Sequence, residues 1–358
     1  MSDSEIQTMQ IIGSARMGGA ENFFLRLHKA LNESGVPSLA VTRKGSELTD
    51  LVQGAGITAR MGNVFDPFSR WSLSRAIKLH RPDIVQTWMG RATRLVHLKP
   101  KLRPAHVARL GGFYDPAQYR HAHALVGNTR GICDFLIRQG VPADKVHFIG
   151  NFVQPTPQVA PELVQQWREK LGLGADDRVI FALGRLHPNK GFDTLIAAFS
   201  QLPPTAGAPH LVIAGDGPLA EQLDRQISQS PVAARIHRVG WQQQTDALFA
   251  LADLFVCPSR HEPLGNVILE AWGHGLPVLS TMSDGALELI TPDENGVMTP
   301  IDEPEAMAAS IASLLNLPNT QLVAFGRAGA AELLRHHSQD AVVAQYAALY
   351  RKLMTTWV

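Results

Sequence analysis

Residues Leu254–Leu279 read LFVCPSRHEPLGNVILEAWGHGLPVL. The run Leu254–Cys257 has the length and composition of a buried strand, and the loop that follows, Ser259–Gly265, carries one proline and one glycine. An apolar helical pattern then leads to Trp272, glycines at 273 and 275 stop it, and a second apolar run begins at Pro277. Strand, helix and strand in this succession predict two parallel strands joined by a crossover helix.

Inside the same stretch Glu262 and Glu270 stand eight positions apart, the first in the loop and the second within the helix. A helix mouth offers unpaired backbone N–H groups and a positive dipole end, which suit phosphate. Carboxylates on either side suit sugar hydroxyls. Anion in the middle and polyol at each end is the outline of a nucleotide-sugar.

The pattern extends in both directions. Toward the N-terminus, strands are predicted near Gln10–Ser14, Leu39–Thr42, Ile57–Met61, Ile84–Trp88, His106–Leu110, Ala124–Asn128 and Val146–Ile149. Amphipathic segments separate them, such as Asn22–Leu31 with Phe23, Phe24, Leu27, Ala30 and Leu31 at helical spacing. A second series follows at Val179–Leu183, His210–Ala214, Arg235–Val239, Leu254–Cys257, Pro277–Leu279 and Gly296–Met298. The expected class is α/β: two Rossmann-like, doubly wound parallel sheets facing across a cleft. Pro155, Pro157 and Pro161 mark the boundary, giving domains 1–155 and 162–339, followed by an amphipathic helix over about 340–358 with Val343, Tyr346, Ala347, Tyr350 and Leu353 on one face.

With 358 residues the chain accommodates two domains, and 33 basic against 32 acidic residues leave a net charge of +1, so nothing global points to nucleic acid. Cys133 and Cys257 each lie in an apolar run and read as buried thiols. No apolar segment reaches bilayer length, and Met1–Glu5 has no signal-peptide character, so a cytoplasmic protein is expected. Between Arg91 and Arg109 there are six cations and no acidic residue, interleaved with apolar side chains. That segment, 91–109, is read as a basic surface element able to rest on anionic lipid; the plainer reading is a solvated loop or helix.

Four turns at predicted strand ends carry ligand-compatible residues. Gly184-Arg185 through Lys190-Gly191 places two cations five residues apart at a helix start, enough to neutralise a diphosphate without a metal. Gly215-Asp216-Gly217-Pro218 is a tight turn that also permits ligand contact, and Gly240 could present backbone to a nucleobase. Gly18-Gly19-Ala20-Glu21 allows close backbone approach. With Gly13 it also forms a degenerate dinucleotide fingerprint, and Arg43-Lys44 after the next strand leaves an NADP-dependent oxidoreductase as a rival reading. His121/His123 and His336/His337 lack zinc-site spacing, no metal is expected, and no Gly-x-Ser-x-Gly elbow supplies a nucleophile.

Taken together, Gly184-Arg185…Lys190-Gly191, Gly215-Asp216-Gly217-Pro218 and Glu262…Glu270 resemble the retaining GT-B glycosyltransferases of the large family 4 type, which includes lipopolysaccharide-core and phosphatidylinositol mannosyl transferases. The resemblance covers essentially the whole chain and implies that the helix over about 340–358 packs back on the first domain. It implies a hexosyltransferase-type enzyme with no cofactor, using a nucleotide-diphosphate sugar, expected to be a UDP-sugar, and a lipid-linked or lipopolysaccharide glycan acceptor. By resemblance, Arg185 and Lys190 hold the departing diphosphate, Glu262 orients the sugar and Glu270 binds the ribose. Backbone groups of Leu264, Gly265 and Asn266 meet the phosphates and sugar, with Gly18 and Gly19 across the cleft and Gly184, Gly215, Asp216, Gly217 and Gly240 completing the donor site. Many relatives have a first-domain histidine near the reacting sugar. Here the matching strands lead into Met89-Gly90-Arg91 and Gly111-Gly112-Phe113, so Trp88, Arg91 and Gly112 become the acceptor-site candidates. A non-catalytic binding protein of the same fold is the remaining alternative.

Overall fold

The apolar runs expected as strands pair into two parallel sheets in the computed structural model, which describes residues 6–98, 103–153, 158–203 and 208–355. The chain divides into one unit of Met1–Asn151 with Gln339–Val358 and a second of Phe152–Ser338.

Among the described residues the first unit has seven strands: β1 (Thr8–Ile12), β2 (Ser38–Arg43), β3 (Gly56–Ala59), β4 (Ile84–Trp88), β5 (Ala105–Leu110), β6 (Ala124–Gly127) and β7 (Val146–Phe148). Their order is β3-β2-β1-β4-β5-β6-β7, all parallel, so the winding reverses between β1 and β4. Helices α1 (Gly19–Glu33), α2 (Pro67–His80), α3 (Met89–Leu95) and α4 (Arg130–Arg138) supply the crossovers, and the C-terminal helix Gln339–Thr355 belongs to this unit. The five residues expected on the apolar face of α1 are all buried.

The second unit repeats the plan with six strands, β8 (Val179–Leu183), β9 (His210–Ala214), β10 (Ile236–Gly240), β11 (Leu254–Cys257), β12 (Val278–Thr281) and β13 (Val297–Thr299), ordered β10-β9-β8-β11-β12-β13. Its helices are α5 (Pro161–Leu171), α6 (Phe192–Ser200), α7 (Ala220–Ser228), α8 (Asp246–Leu251), α9 (Asn266–Gly273), α10 (Asp284–Leu289), α11 (Pro304–Leu315) and α12 (Asn319–His336); α13 is the terminal helix of the first unit. Along β8 and β9, Ile180, Ala182, Leu211 and Ile213 enter one apolar cluster while Val179, Phe181, Val212 and Ala214 enter another. Both faces are covered, which is why these strands read as unbroken apolar runs rather than alternating ones. The winding reverses between β8 and β11, and the carboxyl ends of those two strands flank the crevice where ligands of such sheets sit.

One expectation fails here. The segment 91–109 is not a single surface element: α3 ends at Leu95, Val96 is buried, and the run resumes as β5 inside the sheet, with Lys99 and Lys101 outside the described residues. Arg109, counted as a surface cation, is only 2% exposed. Its guanidinium lies 4.6 Å from the Trp88 ring and 4.7 Å from Phe23, and it donates to the Tyr346 hydroxyl at 3.2 Å and to Asn151 Oδ1. Aromatic faces and two oxygen acceptors replace the water that a buried guanidinium loses.

Candidate donor site of the second unit

The loop after β8 and the loop after β11 meet at the switch point. Gly191 adopts a left-handed φ of 63°, and a Cβ there would collide with the carbonyl oxygen of Pro258, so only glycine lets the two backbones approach this closely. The neighbouring turns are tied to the same edge: Leu186 N–H donates to the Asp216 carbonyl at 2.9 Å, and Gly215 N–H to that of Gly240 at 2.8 Å. Gly184, Arg185, Gly215, Asp216, Gly217 and Gly240 therefore gather at one end of the sheet.

Within this edge Lys190 Nζ forms an ion pair with Glu262 Oε2. The sequence reading had given these residues separate partners, and here they hold each other. Glu262 is buried, and the Ser259 hydroxyl stands 3.5 Å from the same carboxylate oxygen. Arg185 is exposed, with no hydrogen bond or ion pair to its guanidinium among the described residues. Burial, reinforced by the Glu262 carboxylate, pushes the Cys257 thiol up, so that group is an unreactive part of the β11 core.

Helix α9 starts beside Glu262. Gly265 precedes it at φ 69° and, as a glycine, brings no capping side chain of its own. Leu264, Gly265 and Asn266 thus lead into a helix mouth whose dipole favours an anion. Glu270 sits in the second turn of the helix and is partly buried. The Gly285 N–H donates to the Glu262 carbonyl at 2.7 Å and pins the loop from the α10 side, a role no local pattern announced.

A second residue escaped the sequence reading. Arg260 donates to Asp193 in a bidentate pair at 2.9 and 2.7 Å, to Asp302 at 2.6 Å, to the Pro188 carbonyl at 2.6 Å and to the Thr194 hydroxyl at 3.1 Å. Its own N–H and that of His261 both reach the Asn189 carbonyl. Burial pushes the Asp193 carboxyl up, but the Arg260 hydrogen bonds and charge outweigh it and hold that group below its ordinary value. The Asp193 hydrogen bonds, offset in part by burial, push Arg260 further up. The effect is mechanical: the loop bearing Lys190 and the loop bearing Glu262 are clamped together. Asp193 lies 67 positions from Arg260 and Asp302 lies 42, so no motif window could have joined them.

In the first unit Gly18 precedes α1 and Gly19 opens it, with space around the latter. The Ser14 hydroxyl donates to Glu21, which is buried. Arg91 is exposed on α3, its side chain passing beside Gly13, and Gly112 lies against Tyr114 after β5. Trp88 does not suit an acceptor site. It is 1% exposed, packs against Phe23 and Phe24, and spends its indole N–H on Gln10 at 2.9 Å, so it is core. No group of three His, Cys, Asp or Glu among the described residues is arranged to hold a metal ion.

The chain matches two family models, "Glycosyltransferase Family 4" over residues 17–156 and "Glycosyl transferases group 1" over residues 164–346. It is 32% identical over 340 residues to the lipopolysaccharide core biosynthesis glycosyltransferase LpsE of Rhizobium meliloti (strain 1021), covering 92% of this chain and 94% of that one. It is 29% identical over 290 residues to a GDP-mannose-dependent alpha-(1-6)-phosphatidylinositol monomannoside mannosyltransferase of Mycolicibacterium smegmatis, covering 72% of each. The crystal structure of Anabaena Alr3699/HepE in complex with UDP superposes with a TM-score of 0.81 at 20% identity, over 97% of this chain and all of that one, which fixes the likeness of fold.

Proposed function

The chain belongs to the group 1 glycosyl transferases, and from that premise we propose that it moves a hexose from a UDP-sugar to a lipid-linked or lipopolysaccharide-core glycan, with retention and without a metal. The observation that carries this reading is the Lys190–Glu262 pair beside the N-terminal mouth of α9, which a glycine precedes. An arriving diphosphate competes with Glu262 for Lys190, since it brings more charge to the cation and to the helix dipole. Glu262 is then released toward the hydroxyls of the transferred sugar, and Glu270 accepts hydrogen bonds from the ribose.

Arg185 and Lys190 supply stabilisation where charge develops on the leaving diphosphate. A leaving phosphate oxygen on the same face as the acceptor takes the acceptor proton, so retention needs no covalent intermediate, consistent with the inert Cys257. The LpsE likeness supports a lipopolysaccharide-core acceptor. No helix among the described residues is long and apolar enough to cross a membrane.

Two measurements test the reading. Transfer from radiolabelled UDP-sugars should fall by about 100-fold or more in Glu270→Ala and Glu262→Gln; turnover equal to wild type in both would refute the site assignment. Thermal-shift screening should show stabilisation by UDP-sugars. A shift with GDP-mannose alone would reassign the donor, and no shift with UDP-, GDP- or ADP-sugars would remove it.

A further inference from the structure

Helix α2 of the first unit carries apolar residues on two opposite sides. Leu73 and Ile77 are buried toward the sheet with Ser69, the ordinary core face of an amphipathic helix. The outward side should then be polar. Instead Phe68 is 64% exposed, Trp71 61% and Leu79 73%, and Phe65 in the turn before the helix is 77% exposed. At about 100° per residue, Phe68, Trp71, Arg75 and Leu79 share an arc of about 80°. Single exposed apolar residues need no explanation, but three aromatic rings and a leucine on one helix and its leading turn do.

Each ring has a guanidinium over it. Arg60 lies 5.4 Å from the Phe68 centroid, Arg75 lies 5.4 Å from that of Trp71, and Arg94 on α3 lies 5.6 Å from that of Phe65. The cations extend beyond these three. Residues 60–94 contain seven, Arg60, Arg70, Arg75, Lys78, Arg81, Arg91 and Arg94, against Asp66 and Asp83, a local balance of +5 in a chain whose total is +1. Both carboxylates are already engaged: Asp66 accepts from Phe68 N–H, Ser69 and Arg60, and Asp83 accepts from Gln7 N–H and Arg103.

We propose that Phe65, Phe68, Trp71 and Leu79, with Arg60, Arg75 and Arg94 among them, form a docking surface for an anionic lipid bilayer. Aromatic rings flanked by guanidinium groups match the two levels of a membrane interface, rings at the acyl boundary and cations at the phosphates. A protein interface concentrates apolar residues and thins out charge at its centre, whereas here charge and rings alternate throughout. The basic apolar surface thus lies on the stretch from Arg60 to Leu79 together with Arg94, rather than on 91–109 as a whole. This inference rests on the first unit's surface and is independent of the donor chemistry assigned to the second.

The test is co-sedimentation with vesicles of phosphatidylcholine alone and of phosphatidylcholine with about 30% phosphatidylglycerol, at low and high salt. The wild-type chain should bind the anionic vesicles, release with salt and ignore the neutral ones. Phe68→Ser with Trp71→Ser, and separately Arg60→Ser with Arg75→Ser, should each lower the partition coefficient about tenfold or more. Circular dichroism and donor thermal shifts should match wild type, which separates lost docking from lost folding. Wild type that ignores anionic vesicles, or both double variants binding like wild type, would overturn the proposal. So would light scattering showing a wild-type dimer that the aromatic variant splits, because the surface would then belong to a second copy of the chain.

Discussion

At the residue scale the decisive side chain is Arg260. It touches no group proposed to meet the donor, yet it joins Asp193, Thr194, Asp302 and the Pro188 carbonyl in one clamp around the two loops of the candidate site. Loosening such a clamp shifts Lys190 against Glu262, and misplacement of about 1 Å can cost about 100-fold in rate. Arg260→Met should therefore lower kcat by about tenfold to 100-fold with a much smaller change in acceptor KM. Arg260→Lys should fail to rescue it, because an ammonium cannot make the bidentate pair. Initial-rate kinetics on the two variants check this; a KM effect with kcat intact, or full activity in Arg260→Lys, would reduce Arg260 to a surface ion pair. Glu262, Glu270, Arg185 and Lys190 stand out as candidates in the sequence because they lie close to glycine turns and strand ends that carry their own local signals. Arg260 lies two residues from Glu262 and carries no such signal, since its partners lie far away in sequence.

At the element scale, the terminal helix α13 shows how a pattern can be legible and its purpose hidden. Val343, Tyr346, Ala347, Tyr350 and Leu353, expected on one face, are all buried. Spacing could not show that the Tyr350 hydroxyl accepts from Gln10 Nε2 at 3.2 Å and donates to Gln86 Oε1 at 2.8 Å, two amides in the middle of the sheet. Gln10 also receives the Trp88 indole N–H, so the network runs from β4 through β1 to the helix. Tyr350→Phe keeps the shape and strips these amides of a partner. The first unit should lose about 1–3 kcal/mol, read as a lower urea midpoint at unchanged slope; an unchanged midpoint would mean that water replaces the hydroxyl. The one misread element, 91–109, failed for a related reason. Charge in a sequence is taken as solvated, and the pair of rings and oxygen acceptors that admits Arg109 to β5 comes from four other segments.

At the scale of the whole molecule, the buried His106 and several partly covered histidines set the response to acid. His106 is fully buried with Nε2 on the Thr87 hydroxyl at 2.9 Å, His97 stacks on His121 at 4.3 Å, and His123 accepts the His106 N–H at 2.7 Å. Burial first, and then neighbouring positive groups, hold His97, His106 and His123 below the ordinary histidine value; burial does the same to His210 and His237, which stack in the second unit. A depressed folded value means that the unfolded chain binds more protons below about pH 6.5, so this stability is full above that pH and is lost as the pH falls toward the lower folded values. Tm should therefore drop between about pH 7 and about pH 5, before most carboxylates titrate. His106→Gln should flatten the first unit's share of the slope, and a Tm that is level or rises over this range would contradict the account. By itself the sequence determined the α/β class, the position of each strand to within about two residues, and the local motifs that identify the family, because periodicity and turn chemistry act over a few neighbouring residues. Only the tertiary structure decided the sheet order that makes a switch point of the β8 and β11 loops. It also decided the pairing of Lys190 with Glu262, the clamp at Arg260, the interior place of Arg109 and the outward rings of α2. Those depend on which distant surfaces pack together, and packing, not spacing, settles what a charge or a ring finally meets.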